Sequence, residues 1–416
     1  MIGVIADDVT GATDVAAALS RSGLRTLLSL TADLGDHAGD AAAVAAADAD
    51  AIVIGLKTRS IAVPDAVAQS LAALAALQRL GADRFYVKYC STFDSTADGN
   101  IGPVTEALAA ELGAGIVVTT PAAPLHGRTV YRGHLFVGDA PLHETHMREH
   151  PVTPMLDSSV PRLLAPQVRG SVGMLPLETV RAGAAAVRAG IAAAAASGIA
   201  HLVVDAVAET DLAAIAEAVD GDVLVAGSAG LIGAIALRRR ASDRVMAGPP
   251  TGRTAILAGS CSRRTLEQIA RFRESGGDAY QLVAEPGESA VALAEGALAW
   301  WDERPDDASA LIYSSSPAEE RDLAIPDLGA LYEQTAGLIA TQLAERGLRR
   351  MLIAGGETSG EVVKALGMRT AVVGEEAALG APWIHDADRD LHLILKSGNF
   401  GDPDLFVDVA RSGESR

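Results

Sequence analysis

The feature that most constrains the fold is an alternation. Short apolar runs at 2–6, 25–30, 51–56, 84–90, 115–119, 201–205 and 223–226 are separated by longer stretches of helical character at 64–80, 101–111, 181–197 and 211–219. Apolar runs of roughly four to eight residues without polar alternation suit strands covered on both faces. Helical patterns between such strands mean βαβ units and a parallel sheet. The rhythm pauses at 238–253, RRRASDRVMAGPPTGR, where basic residues, glycines and a Pro-Pro pair read as a linker. It then restarts, with strands at 254–258, 279–282, 310–313 and 351–353 and helices at 265–275, 288–301, 328–346 and 360–366. The expectation is an α/β protein of two α/β domains with mostly parallel sheets, residues 1–240 and 254–412, and a ligand site in the cleft between them. The stretch 121–176, rich in Pro, His, Arg and Gly, breaks the pattern and reads as an insertion covering the crevice of the first sheet.

Composition narrows the class. Of 416 residues, 49% are hydrophobic and 21% charged, which is a core-forming chain with no signature of disorder. Aromatics are only 4%, so the core must be built from Ala, Val, Leu and Ile. A net charge of −19 repels phosphate backbones and argues against nucleic acid as a partner, though a local basic site can still take a small anion. The longest alanine-rich run, 182–200, carries Arg188 and several glycines and is too weakly apolar to span a membrane. Cys90 and Cys261 form no disulfide framework and no CxxC site, and neither a secretory signal nor a lipidation motif opens the chain. A cytoplasmic enzyme is expected.

Three groups of residues carry chemistry. The first is MIGVIADDVTGATD, a strand that ends in Asp7 and Asp8 and turns through Val9, Thr10 and Gly11 into an alanine-rich helix. The C-terminal ends of strands line the ligand crevice of open α/β sheets, and two carboxylates there need a metal ion, a cation or substrate hydroxyls. Helix capping by one aspartate, with the other solvated, is the alternative use. The second is VKYCSTFDSTADGN, in which a strand delivers Lys88 and a loop crowds Ser91, Thr92, Asp94, Ser95, Thr96 and Asn100 before the next helix. That mixture suits a small polyhydroxylated anion: Lys88 meets a carboxylate, while Asp94 and Asn100 take hydroxyls. Arg59, after another strand, is a second candidate for a carboxylate because its guanidinium forks onto one. A self-satisfied turn of Asx and Ser/Thr type would use the same residues.

The third group lies in the second domain. MLIAGGETSGEVVKAL is a strand, paired glycines, then Thr358 and Ser359 before a helix expected near Gly360. It is neither GxxxxGK[ST] nor GxGxxG, yet glycines admit close backbone approach and a helix start faces an anion favourably. AILAGSCS and KSGNFG add two small-residue loops, and together the three suggest a nucleotide held largely by main chain. Lys396 reads either as a phosphate contact or as a surface lysine beside a turn. His143, His146 and His150 could share one helical face, but the stretch is polar and runs into Pro151, so solvated or substrate-facing histidines are expected rather than a zinc site.

With these residues in view, the chain resembles the four-carbon acid sugar kinases. IADDVTGATDVA is similar to that family's opening motif and KYCSTFDST with GNIGP to its second, while AGSCS, AGGETSG and PWI with LKSGNFG look like its nucleotide-domain motifs. The resemblance runs in order over nearly the whole chain. KYCSTFDST, GRTVYRGHLFV and MREHPVTPM look most like the 3-oxo-tetronate kinase branch. Val9 stands where the family commonly has Phe, and Leu125-His126 replaces a more apolar pair.

The resemblance implies transfer of the ATP γ-phosphate, with Mg²⁺, to the terminal hydroxyl of a four-carbon acid. Asp8 is then the first choice for orienting or deprotonating that hydroxyl and Asp7 for a metal or substrate contact. The two roles can be exchanged, and Asp94 is the other candidate base. Thr10, Gly11, Arg59, Lys88, Ser95, Thr96 and Asn100 would bind the substrate. Ser260, Ser262, Gly355, Gly356, Glu357, Thr358, Ser359, Gly398, Asn399 and Gly401 would bind the nucleotide. A threonate or erythronate kinase is the neighbouring reading. A non-catalytic nucleotide-binding sensor is the distant one, disfavoured by the intact aspartate pair and glycine loops. The sequence leaves the oligomeric state open, a homodimer included.

Overall fold

A computed structural model describes residues 1–31, 49–150, 152–239, 248–317, 327–386 and 388–413. Half of the linker reading, 240–247, and Pro151 lie outside the described residues. Backbone proximity divides the chain into two units, Met1–Arg244 and Val245–Arg416.

The first unit is built on a parallel sheet. Its strands are β1 (Ile2–Ala6), β2 (Thr26–Ser29), β3 (Ala51–Gly55), β4 (Arg84–Lys88), β5 (Val117–Thr120), β9 (Ser171–Leu175), β10 (Ile199–Val204) and β11 (Leu224–Gly227). They lie in the order β2-β3-β1-β4-β11-β5-β10-β9, every neighbouring pair parallel. All five residues of β1 are buried, as an unalternating IGVIA run requires. Helix Val9–Arg21 packs its Ala12, Ala16 and Ala17 fully out of solvent, so small side chains bring it close to the sheet. Chain connections leave β1 toward β2 and leave β4 toward β5, in opposite directions. The β1–β4 pair is therefore the switch point of the sheet, where a crevice opens at the strands' C-terminal ends.

Between β5 and β9, β6 (Arg128–Tyr131), β7 (His134–Val137) and β8 (Ala140–Pro141) form a small antiparallel sheet. The expected insertion at 121–176 thus has its own structure, and one part of that reading is corrected. Ser171–Leu175 is no insertion but β9, an edge strand of the main sheet, partly exposed over its first four residues. The helix expected over 181–197 is also two helices, Leu177–Arg181 and Ala184–Ala196, parted at Gly183, where the backbone takes φ +98°.

The second unit has β12 (Thr254–Ala258), β13 (Asp278–Gln281), β14 (Ala310–Tyr313), β15 (Arg350–Ala354), β16 (Thr370–Ala378), β17 (Ala381–Asp386) and β18 (Leu391–Lys396), in the order β13-β14-β12-β15-β18-β17-β16. β13 through β18 in that row are parallel, while β18-β17-β16 is an antiparallel meander that the sequence reading lacked. Its core joins Ile256, Leu311 and Leu352 from the strands to Phe272, Trp383 and Phe406. Here the switch point falls between β12 and β15, the two strands that carry AGSCS and AGGETSG.

Candidate active site

In the first unit the cluster assembles at the switch point. Asp8 is the N-cap of helix Val9–Arg21: its Oδ1 accepts the Gly11 amide at 2.7 Å and its Oδ2 accepts the Thr10 hydroxyl at 3.0 Å. Gly11 is required there, because a Cβ would lie 2.2 Å from Asp8 Oδ1. Asp7 is held from the other side. The Arg59 guanidinium donates Nε to Asp7 Oδ2 at 3.0 Å and Nη2 to Asp7 Oδ1 at 2.9 Å. The same Nη2 stands 3.0 Å from Asp8 Oδ1, and Nη1 donates to Asp94 Oδ2 at 3.2 Å. One cation thus ties together three carboxylates from two loops. Phe93 and Asp94 both adopt positive φ, 63° and 52°, which non-glycine residues seldom do outside constrained sites.

The electrostatics separate the two aspartates. Burial raises the Asp7 carboxyl above its usual range, more than Arg59 lowers it. Burial also pushes on Asp8, but Arg59, Lys88 and the hydrogen bonds from Thr10 and Gly11 together leave it below the usual range. Asp8 is therefore the carboxylate held ionised. Lys88, at the end of β4, is buried, donates its Nζ to the Tyr89 carbonyl at 2.9 Å and lies 4.0 Å from Asp14.

Asn100 fastens the Arg59 loop, donating Nδ2 to the carbonyls of Thr58 and Ile61 at 2.7 and 2.9 Å. Among the described residues nothing donates to its buried Oδ1. A cavity beside this cluster is bordered by Asp7, Arg59, Lys88, Asp94, Ser95 and Asn100.

In the second unit three loops meet at the ends of adjacent parallel strands. The Gly259 and Ser260 amides donate to the Ala354 carbonyl at 2.9 and 3.1 Å, and the Gly355 amide donates to the Lys396 carbonyl at 2.9 Å. The Ser262 hydroxyl donates to the Gly398 carbonyl at 2.6 Å while capping helix Arg263–Glu274. Helix Gly356–Leu366 begins earlier than expected, so Gly356, Glu357, Thr358 and Ser359 are its first turn and not a loop before it. The amides of Gly356, Glu357 and Thr358 have no acceptor inside the helix, while that of Ser359 donates to the Gly355 carbonyl at 2.9 Å.

Lys396 is not a surface lysine. It is fully buried, donates to Thr265 Oγ1 at 3.0 Å and to the Gly398 carbonyl at 2.8 Å, and burial with nearby Arg264 brings its pKa down to about 7.

Comparison with known proteins decides the family. Residues 2–235 match the model of a sugar-binding N-terminal domain and residues 255–406 that of a nucleotide-binding C-terminal domain. A 3-oxo-tetronate kinase of Cupriavidus necator is 42% identical over 99% of this chain and 96% of its own, and one of Salmonella typhimurium 40% identical over 99% and 98%. The chain belongs to the four-carbon acid sugar kinase family, in its 3-oxo-tetronate kinase branch.

Solved structures agree on the fold. A Salmonella typhimurium chain described as a putative tRNA synthase superposes with a TM-score of 0.87 at 38% identity, covering 99% of this chain and 98% of that one. A Haemophilus influenzae protein gives 0.78 at 37%, covering 99% and 100%.

Within this family member the structure brings most of the expected residues together, in two groups. Asp7, Asp8, Arg59, Lys88, Asp94, Ser95 and Asn100 form the first. Thr10 and Gly11 serve Asp8 and are themselves buried. Ser95 and Thr96 are tied down by Gln167, whose Nε2 reaches Ser95 Oγ at 3.0 Å and the Thr96 carbonyl at 2.7 Å. The second group joins Ser260, Ser262, Gly355 and Gly398, with Gly356, Glu357 and Asn399 exposed beside them. Ser359 is buried with an unpartnered hydroxyl, and Gly401 at φ +80° shapes the last loop. His143, His146 and His150 do not lie on one helix; they fall in short 3-10 turns, and His150 Nδ1 faces Asp94 at 3.7 Å.

Three residues were missed. Asp14, in the second turn of the first helix, is buried 3.7 Å from His126 Nε2, and burial raises its carboxyl. An aspartate buried in an alanine-rich helix was the signal for it. Arg128 is half-buried, its pKa lowered by burial, and its buried Nε has no acceptor among the described residues. Thr153 donates to Asp94 Oδ1. Nothing local distinguishes these last two.

Proposed function

We propose that this chain transfers the γ-phosphate of ATP to the 4-hydroxyl of 3-oxo-tetronate, giving 3-oxo-tetronate 4-phosphate and ADP. The observation that carries the reading is the Arg59-bound trio of carboxylates at the switch point of the unit that matches a sugar-binding domain. Asp8 orients the acceptor hydroxyl and accepts its proton at Oδ2, the oxygen engaged only by Thr10. Asp7 and Asp94 hold Arg59 in place. This changes the expected duty of Arg59: its donors are engaged by protein carboxylates, so the acid's own carboxylate falls to Arg128, whose buried Nε lacks an acceptor among the described residues, or to Lys88. The unpartnered Oδ1 of Asn100 suits a substrate hydroxyl.

The first turn of helix Gly356–Leu366 and the glycine loops receive the phosphates through main-chain amides. Mg²⁺ prefers oxygen ligands, one or two carboxylates with phosphates and water. Exposed Glu357 fits that preference beside the nucleotide loops, whereas Asp7 has both oxygens on Arg59. The ion supplies charge neutralisation on the transferred phosphoryl group.

An acidic chain suits a small-molecule acceptor and not a polynucleotide. Among the described residues no helix is long and apolar enough to cross a membrane, and we place the enzyme in the cytoplasm. ADP release measured with 3-oxo-tetronate, threonate, erythronate and no acceptor tests the reading. Turnover with the 3-oxo acid is expected. Turnover only with threonate or erythronate moves the branch, and no turnover with any acceptor overturns the proposal.

A further inference from the structure

A second constellation lies at the far end of β18 from the nucleotide loops. β17 and β18 pair antiparallel with His385 directly opposite His392. The two imidazoles stack, centroids 4.3 Å apart and planes at 15°. Asp390, at the turn and in the left-handed region at φ +50°, brings Oδ1 to 3.4 Å from His385 Nε2. One donor atom from each of His385, Asp390 and His392 falls within 4.8 Å of the other two.

Those distances suit one ion. Bonds of about 2.0–2.1 Å in tetrahedral geometry place donor atoms about 3.3 Å from one another. The His385–Asp390 edge already has that length, and the other two donor distances are at most 4.8 Å. Both residues have the freedom for it, Asp390 being 75% and His385 36% exposed. The neighbouring cation, Arg349, stands 3.9 Å from Oδ2 of Asp390, which leaves Oδ1 for a ligand role.

We infer that His385, Asp390 and His392 form a binding site for one zinc ion, with water in the fourth position. Two imidazoles and one carboxylate are the donor set of zinc and its borderline neighbours, not of magnesium. The site is separate from the phosphoryl-transfer residues, since His392 and Lys396 are four residues apart along an extended strand, roughly 13 Å. The bound ion would clamp β17 to β18 across their turn. That would stabilise the strand that delivers Lys396.

The test uses the full chain, free of any affinity tag and stripped with a chelator. Zn²⁺ is titrated against a chromophoric chelator, and Co²⁺ is followed by its visible absorption. The native protein is expected to take up one equivalent with a four-coordinate Co²⁺ spectrum. H385A/H392A should weaken binding by more than about tenfold. D390N should weaken it less, and both should keep the circular dichroism and the kinase turnover of the native chain. Failure of the native protein to compete for Zn²⁺ overturns the inference. So does undiminished binding by H385A/H392A, or, should that variant misfold, by D390N.

Discussion

The two units solve the same topological problem with opposite chemistry. Each places its site at the switch point of a parallel sheet, β1–β4 in one and β12–β15 in the other. In the first, charged side chains dominate: Arg59 binds Asp7, Asp8 and Asp94, and Lys88 lies near Asp14. In the second the contacts are glycine backbone, serine hydroxyls and helix amides, with a single buried lysine among neutral oxygens. The difference suits the two ligands. A small acid differs from its relatives by one hydroxyl or carbonyl, and rejecting the wrong one needs polar groups that suffer when left unpaired. Phosphates present the same oxygens in every nucleotide, so a cradle of amides suffices.

Four experiments break or sharpen this contrast. The largest effect is expected from Asp8→Asn at saturating substrates. kcat should fall about 10²–10⁴-fold, and a loss below tenfold would remove Asp8 as the base. Arg59→Met comes next, because it leaves three carboxylates without their shared cation. Stability should drop by roughly 3–5 kcal/mol in denaturant titration, the usual result of removing one partner of a buried ion pair. Arg59→Lys should rescue poorly, lacking the fork. Unchanged stability in Arg59→Met would mean the carboxylates are not charge-dependent on Arg59.

Gly355→Ala acts only on the main-chain site. At φ +132°, with the added Cβ 3.1 Å from the Ser260 amide, the strain of about 1–3 kcal/mol should raise KM for ATP roughly tenfold. KM for the acid should stay as it was, and an equal rise in both would erase the division of labour. The smallest effect is Lys396→Met. An unfolded lysine holds its proton up to its ordinary 10.5, the native Lys396 only to about 7. Between those values the unfolded chain binds more protons, so this residue makes stability rise with pH there and contributes no slope below about 7. The variant should flatten that rise between about pH 7 and 10. A slope identical to the native one would mean that Lys396 keeps its proton in the fold.

How much of this was legible in the residues follows a physical line. β1 and β12 were readable because a strand buried on both faces has to be apolar throughout. β9 and the β16–β18 meander were not. β9 and β16 are partly exposed and lack a clean period, while polar residues such as Asp386 and Lys396 sit inside the buried strands β17 and β18 and interrupt their apolar runs. Asp7, Asp8, Lys88 and Asp94 were legible as polar groups stranded at strand ends. Arg128 and Thr153 were not, because they come from the structured insertion and acquire meaning only from what they face.

The sequence by itself determined the α/β class, the two α/β halves, the glycine loops and the identity of the charged groups, since all of these follow from local pattern and composition. Tertiary structure alone decided that Arg59 binds protein carboxylates rather than standing free for a ligand. It alone decided that Lys396 is buried and that His385 meets His392 across a strand pair. Pairing partners and burial depend on contacts between residues far apart in the chain, and no local pattern encodes them.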